Sequence, residues 1–131
     1  MSKTNTVKDA DSVKKPRTLP SDKRNYLLKY VDENFRDSAL CLTSVADHMD
    51  ASIYAISRAF KECTGVGFKD YVTGKRLQYA CTLLLTTDHT IFEIAEECGF
   101  ENSTYFTTVF RREFGTPPSK YRNTARRNAK R

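Results

Sequence analysis

Tyr54, Ser57, Arg58 and Lys61 recur at the three- and four-residue steps that align side chains on one face of a helix. Thr104, Thr107, Thr108 and Arg111 repeat the same steps, with Ser103 at the edge of that face. Hydroxyl and guanidinium groups are what a DNA major groove can use: Arg forks onto guanine O6 and N7, and Ser or Thr serves bases or phosphates. None of these positions is acidic. A merely solvated face more often sets Glu beside its Lys, so both faces point to groove contact. Other chemistries find less support. No nucleophile–base pair, carboxylate dyad or glycine-rich phosphate loop occurs, which argues against an enzyme. Cys41, Cys63, Cys81 and Cys98 contain no CxxC, and neither His48 nor His89 stands at finger-type spacing from a Cys pair. No metal and no cofactor is expected. The thiols read as small apolar residues, with a redox or metal sensor as the lesser alternative, and both histidines read as exposed.

The reading faces need helices whose other sides are buried. Leu27, Leu28, Val31 and Phe35 mark a first helix behind a Ser21 cap. Leu42, Val45, Ala46 and Met49 mark a short second one, and Asp50-Ala51-Ser52 leads into a third with Ile53, Ile56, Phe60 and Cys63 inward. Ser52 is a natural N-cap, and Gly65 and Gly67 end that helix. Phe68 to Thr86 forms one long helix, with Tyr71, Val72, Leu77, Ala80, Leu83 and Leu84 inside. Then the pattern returns. Thr90 and Glu93 form a capping box before Ile91, Ile94, Ala95 and Cys98, and a break at Gly99 precedes Phe106, Val109, Phe110 and Phe114, closed by Gly115. Leu42 and Ile91 are 49 residues apart, Ile56 and Phe106 are 50 apart, so one residue is added in the turn. No strand alternation appears. The expectation is an all-α fold: two helix–turn–helix subdomains joined by a long linker helix.

The 131 residues allow one domain or two very small ones, arranged as a flexible basic arm at 1–20, a first subdomain at 21–67, the linker at 68–86, a second subdomain at 87–123 and a basic tail at 124–131. The net charge of +6 divides unevenly: +3 over residues 1–20, −3 over 21–115 and +6 over 116–131. Basic ends around an acidic body suggest that specificity rests on few contacts while the tails, Lys14-Lys15-x-Arg17 and Arg126-Arg127, supply diffuse attraction. No apolar run or leader-like stretch suggests a membrane span or export.

The motifs Leu42-x-x-Val45-Ala46, Ser52, Ile56-Ser57-Arg58-x-Phe60-Lys61 and Gly65 resemble the first helix–turn–helix of AraC/XylS-type transcription regulators. Ile91-x-Glu93-Ile94-Ala95-x-x-x-Gly99-Phe100 and Tyr105-Phe106-x-x-Val109-Phe110-Arg111-Arg112-x-Phe114-Gly115 resemble the second. Tyr71, Arg76-Leu77-x-x-Ala80 and Pro118-Ser119-Lys120-Tyr121-Arg122 match the linker and the closing segment. The resemblance covers roughly residues 23 to 123. It implies a seven-helix unit on double-stranded DNA, with Tyr54, Ser57, Arg58 and Lys61 in one major groove and Ser103, Thr104, Thr107, Thr108 and Arg111 in the next. Phosphate contacts are expected from Lys61, Arg111, Arg112, Ser119, Lys120 and Arg122. It further implies a transcription activator in the cytoplasm, at the nucleoid, with RNA polymerase as a partner. Three departures stand out. Cys41 replaces the usual Ser or Thr cap, so that helix start is expected to fray; Asp50 fills a turn position often held by Gly, Asn or His; and Thr108 stands where some relatives carry Arg.

A linker of ~19 residues spans ~28 Å, against ~34 Å between successive major grooves on one duplex face. One chain could therefore read an asymmetric site with some DNA bending, or set its second helix on phosphates alone. Tyr54 could stack on sugar and base methyls or simply cover its helix; Phe114 and Tyr121 read as core. Twenty residues ahead of the first helix leave no room for a small-molecule ligand domain in this chain, so control by abundance and a fragment of a longer regulator both fit. The competing function is a helical protein-interaction adaptor that uses the same faces for a protein partner.

Overall fold

A computed structural model of the chain describes residues 18–129, and these form helices with no strand among the described residues. Helix α1 covers Ser21–Asn34, α2 Leu42–His48, α3 Ile53–Thr64, α4 Phe68–Thr86, α5 Ile91–Cys98, α6 Ser103–Phe114 and α7 Pro118–Ala129. No helix among the described residues is long and apolar enough to cross a membrane. Lys14, Lys15 and Arg17 lie outside the described residues, but Leu19, assigned by sequence to the arm, is buried. The chain divides into two compact units, one built on residues up to Glu33 with Leu40–Tyr71, the other on Asn34–Ala39 with residues from Val72 onward. The division falls within α4.

In the first unit, Leu27 and Val31 of α1, Val45 and Ala46 of α2, and Ala55, Ile56, Ala59 and Phe60 of α3 are buried. Phe60 takes the edges of Phe68 and Tyr71 at 5.1 and 5.3 Å. Burying each such large side chain contributes roughly 1.5–3 kcal/mol. Tyr71 also donates to Asp32 at 2.7 Å, and burial together with that carboxylate pushes the phenol up to about 12. Ile53 and Cys63, the two ends of the expected inner stripe, are exposed, because α3 outruns the core at both termini.

The second unit is centred on Leu77, Ala80, Leu84, Ile94, Ala95, Cys98, Phe106, Val109 and Phe110. Phe114 is 42% exposed, which corrects its assignment to the core: it lies at the open end of α6 and packs one face on Phe110 at 4.5 Å. Tyr121 is half-buried against the same cluster. Segment 34–39 is held here by arginines on backbone carbonyls. Arg76 donates to Phe35 and Asp37 carbonyls at 2.7 and 2.9 Å, and Arg36 donates to the Glu97 carbonyl while lying over the Tyr79 ring.

The helix ends follow local chemistry. Ser52 accepts from the Ala55 amide, Asn102 from Tyr105, and Thr90 from Glu93, whose carboxylate reaches back to the Thr90 amide at 2.8 Å. At α1 the first carbonyl to accept belongs to Pro20, so Ser21 is the first helical residue rather than the cap. Cys41 does not leave α2 to fray. Ser44 accepts from the Cys41 amide and donates to its carbonyl, so the third residue of the helix ties the start that the thiol secures poorly. The first helix of each motif closes with the same five-residue backbone bond, Ala51 to Ala46 and Phe100 to Ala95, around a left-handed residue, Asp50 at φ 52° and Gly99 at φ 97°. The added residue of the second copy is thus Glu101, between the left-handed position and the cap.

Arg122 corrects an expectation. Its guanidinium is not presented to a phosphate: Nε donates to the Leu84 carbonyl, Nη1 to His89 and Nη2 to Thr87, at 2.7–3.1 Å. These carbonyls end α4 and follow it, where a helix leaves acceptors unsatisfied. Arg126, expected in a diffuse tail, lies in α7 and pairs with Asp88 at 2.8 Å while donating to Thr87. Nor is the thiol set uniform. Cys98 is buried, and desolvation pushes it up to about 12; Cys81 is half-buried and also raised by burial. Cys41 and Cys63 are exposed, which removes them from the apolar reading.

Four outcomes follow from this packing. A Cβ on Gly99 would meet the Phe35 and Arg36 carbonyl oxygens at 2.8 Å, whereas one on Gly65, at φ 82°, meets nothing within 4 Å. In urea denaturation, Gly99→Ala should therefore cost on the order of 3 kcal/mol and Gly65→Ala only about 1 kcal/mol; equal costs would refute the close approach. Arg122→Ala should cost about 2 kcal/mol by leaving carbonyls unpaired, while Lys120→Ala stays within about 0.5 kcal/mol. Iodoacetamide at pH 8 should label Cys41 and Cys63 in the folded chain and Cys98 only after unfolding, read by mass spectrometry. The raised Cys98 pKa also means that its contribution to stability, complete below the unfolded thiol pKa, is lost as pH rises toward about 12.

Candidate nucleic-acid interface

Each unit contains a twelve-residue helix with one buried and one polar face, capped at its start by Ser52 or Asn102 and closed by a left-handed glycine, Gly65 or Gly115. On α3, burial of Ala55, Ile56, Ala59 and Phe60 turns Tyr54, Ser57, Arg58 and Lys61 outward, and all four are exposed. Tyr54 is 80% exposed, so it does not cover its own helix to any extent. The structure thus brings the whole first set together on one solvent-facing surface.

None of these four positions is acidic, but an acid stands beside them on the same helix. Glu62, four residues beyond Arg58, accepts from the Arg58 Nε at 3.1 Å through Oε2. Its other oxygen takes Arg24 Nη2 of α1 at 2.6 Å. Arg24 is itself fixed by its Nε on the Leu19 carbonyl at 2.9 Å. The two guanidinium groups hold the Glu62 carboxyl below the usual carboxylate range, Arg24 being the stronger influence. The i,i+4 spacing of Arg58 and Glu62 is visible in the sequence. The arrival of Arg24, 38 residues away, is not.

On α6, Phe106, Val109 and Phe110 are buried, and Thr104, Thr108 and Arg111 are exposed; Ser103 and Thr107 are half-buried at the flank of the face. Thr108 donates its hydroxyl to the Thr104 carbonyl at 3.0 Å, leaving its oxygen to act as an acceptor. This set is therefore weaker in donors than the first, with Arg111 as its cation. Tyr105, part of the second motif but not among the expected DNA contacts, is 41% exposed beside Phe100. Arg112, Ser119 and Lys120 are exposed, the last two in the first turn of α7. Arg122 is absent from this surface for the reason given above. His48 is exposed, yet it stacks on Tyr30 at 4.1 Å and meets the Tyr26 hydroxyl at 2.7 Å. His89 is half-buried, with Nδ1 at 2.7 Å from Glu97, rather than exposed.

The pattern of a family described as helix-turn-helix domain matches residues 45–124. The HTH-type transcriptional activator RhaS of Salmonella schwarzengrund is 37% identical over 100 residues, covering 76% of this chain and 36% of its own length. The regulatory protein PocR of Salmonella typhimurium is 33% identical over 121 residues, covering 92% of this chain and 40% of its own. This chain thus spans well under half the length of these relatives. Among solved structures, the C-terminal domain of the two-component response regulator YesN from Fusobacterium nucleatum superposes with a TM-score of 0.74 at 35% identity, over 78% of this chain and 99% of that domain. The DNA-binding domain of the transcriptional factor AdpA, solved with a target DNA, gives 0.75 at 25% identity, over 80% of this chain and 94% of that one. With its paired motifs, its capping pattern and these relatives, the chain belongs to the AraC-type helix-turn-helix domain family.

Proposed function

We propose that this chain is a sequence-specific DNA-binding transcription regulator, an activator, that sets α3 and α6 in successive major grooves of an asymmetric site. The observation that carries this reading is the exposed face of α3, where Tyr54, Ser57, Arg58 and Lys61 stand clear of the core on a helix capped at both ends. That RhaS is named a transcriptional activator and that AdpA's domain was solved on a target DNA support the same direction. In this reading Arg58 and Ser57 address base edges and Tyr54 packs on sugar and thymine methyls. Thr104, Thr107, Thr108 and Ser103 give α6 hydroxyls for bases or phosphates. Lys61, Arg111, Arg112, Ser119 and Lys120 hold the phosphate backbone, and RNA polymerase at the nucleoid is the protein partner.

An electrophoretic shift at moderate salt with excess random competitor DNA tests the function. A retarded complex on a preferred sequence is the expected result, and binding to none would hand these faces to the adaptor reading. Within a specific complex, Arg58→Ala should cost about 1–3 kcal/mol at one base position, while Lys120→Ala should weaken all sequences alike and lower the salt slope by about one. Uniform weakening by Arg58→Ala would make Arg58 a phosphate contact instead.

A further inference from the structure

The Arg24–Glu62–Arg58 chain of contacts concerns the α3 face directly, and its inference rests on the DNA-reading function proposed above. We propose that Glu62, braced from behind by Arg24, is a specificity-determining positioning residue that aims Arg58 at a base edge and turns it away from phosphate.

The geometry supports this in three steps. First, the two oxygens of Glu62 are divided, Oε1 to Arg24 at 2.6 Å and Oε2 to Arg58 at 3.1 Å, so the carboxylate is held on both sides. Arg24 is anchored in turn on the Leu19 carbonyl, next to a buried leucine side chain. This brace therefore originates in the packed part of the first unit rather than in solvent. Second, Arg58 is engaged through Nε, with its side chain 61% exposed. Among the described residues no acceptor engages its two terminal nitrogens, and that pair matches guanine O6 and N7. Third, Glu62 offsets one of the two guanidinium charges beside it, so the cluster of Arg24, Glu62 and Arg58 attracts a distant phosphate less than two unpaired arginines would. A phosphate meeting Arg58 must also meet Glu62 and is repelled by it, whereas a neutral base edge offering two aligned acceptors is not. Glu62 is ionised at neutral pH as any ordinary carboxylate is, and the two guanidinium groups, Arg24 first, push its titration further down. An exposed Glu–Arg pair contributes little to stability. Selectivity is the property in which the arrangement has an effect.

The test is a double-mutant cycle on the full chain, using the best oligonucleotide from a random-pool selection against bulk random DNA, by fluorescence anisotropy. Glu62→Gln should bind bulk DNA several-fold more tightly, as an added net positive charge requires. It should lose about three- to tenfold in selectivity, at the same base position that Arg58→Ala relaxes. In the Arg58→Ala background, Glu62→Gln should leave selectivity unchanged. Arg24→Met should repeat the Glu62→Gln loss in smaller degree, and circular dichroism should show all variants folded. If Glu62→Gln retains full selectivity, or lowers it equally with and without Arg58, the role assigned to Glu62 is overturned while the DNA-reading function stands. If Arg58→Ala keeps the selectivity of the parent chain, the inference also falls, again without touching that function. A parent chain with no selectivity at all would remove the function and the inference together.

Discussion

Each motif depends on one backbone constraint: a left-handed residue must end its first helix, and a side-chain cap must start its second within three positions. At Asp50 and Gly99 the chain turns through positive φ, and the same five-residue hydrogen bond closes both turns. Ser52 and Asn102 then take an amide of the next helix and set its first turn. Because these bonds are local, the direction in which α3 or α6 leaves its turn is set by residues of the turn itself. Burial of Ile56 and Phe60, or of Phe106 and Phe110, then fixes which face looks outward. The second copy is bound more tightly, since Gly99 approaches two carbonyls of the segment preceding Ala39 so closely that no side chain fits. The first copy tolerates Asp at the equivalent position, at the strain cost of a left-handed non-glycine residue.

Arginine serves three separate purposes in this chain, which is why counting positive charge gave little guidance. Arg76, Arg36 and Arg122 satisfy backbone carbonyls at helix ends and in connecting segments. Arg24 braces a carboxylate. Arg58, Arg111 and Arg112 remain on exposed helix surfaces. A guanidinium suits all three uses because its planar fork offers several donors in fixed directions. What separates them is whether an acceptor lies within reach, and that depends on how the chain folds back on itself.

The same distinction explains what was legible in the sequence. Helix positions, the Thr90–Glu93 box, the Ser52 cap and the outward positions of α3 rest on spacings of three to seven residues, and such spacings are written in the chain directly. The repeat offset of 49 then 50 residues even located the added turn residue, which the structure identifies as Glu101. The partners of Arg122 and Arg126, and the Glu62 partner of Arg24, lie 33 to 39 residues away, so no local pattern announces them. Phe114 and Ile53 illustrate a different limit. Both continue a correct apolar period, but the helix reaches past the core there and leaves them in solvent. Cys41 shows substitution by a neighbour: Ser44 performs the capping that the residue type at the cap position could not.

The central claim is that two capped helices of one polypeptide read a DNA sequence. Selection of bound sequences from a random duplex pool by the purified chain, followed by sequencing of the recovered molecules, addresses it most directly. The account predicts an asymmetric consensus with two informative blocks about 10 base pairs apart, the stronger block assigned to α3. Recovered molecules indistinguishable from the starting pool would contradict it.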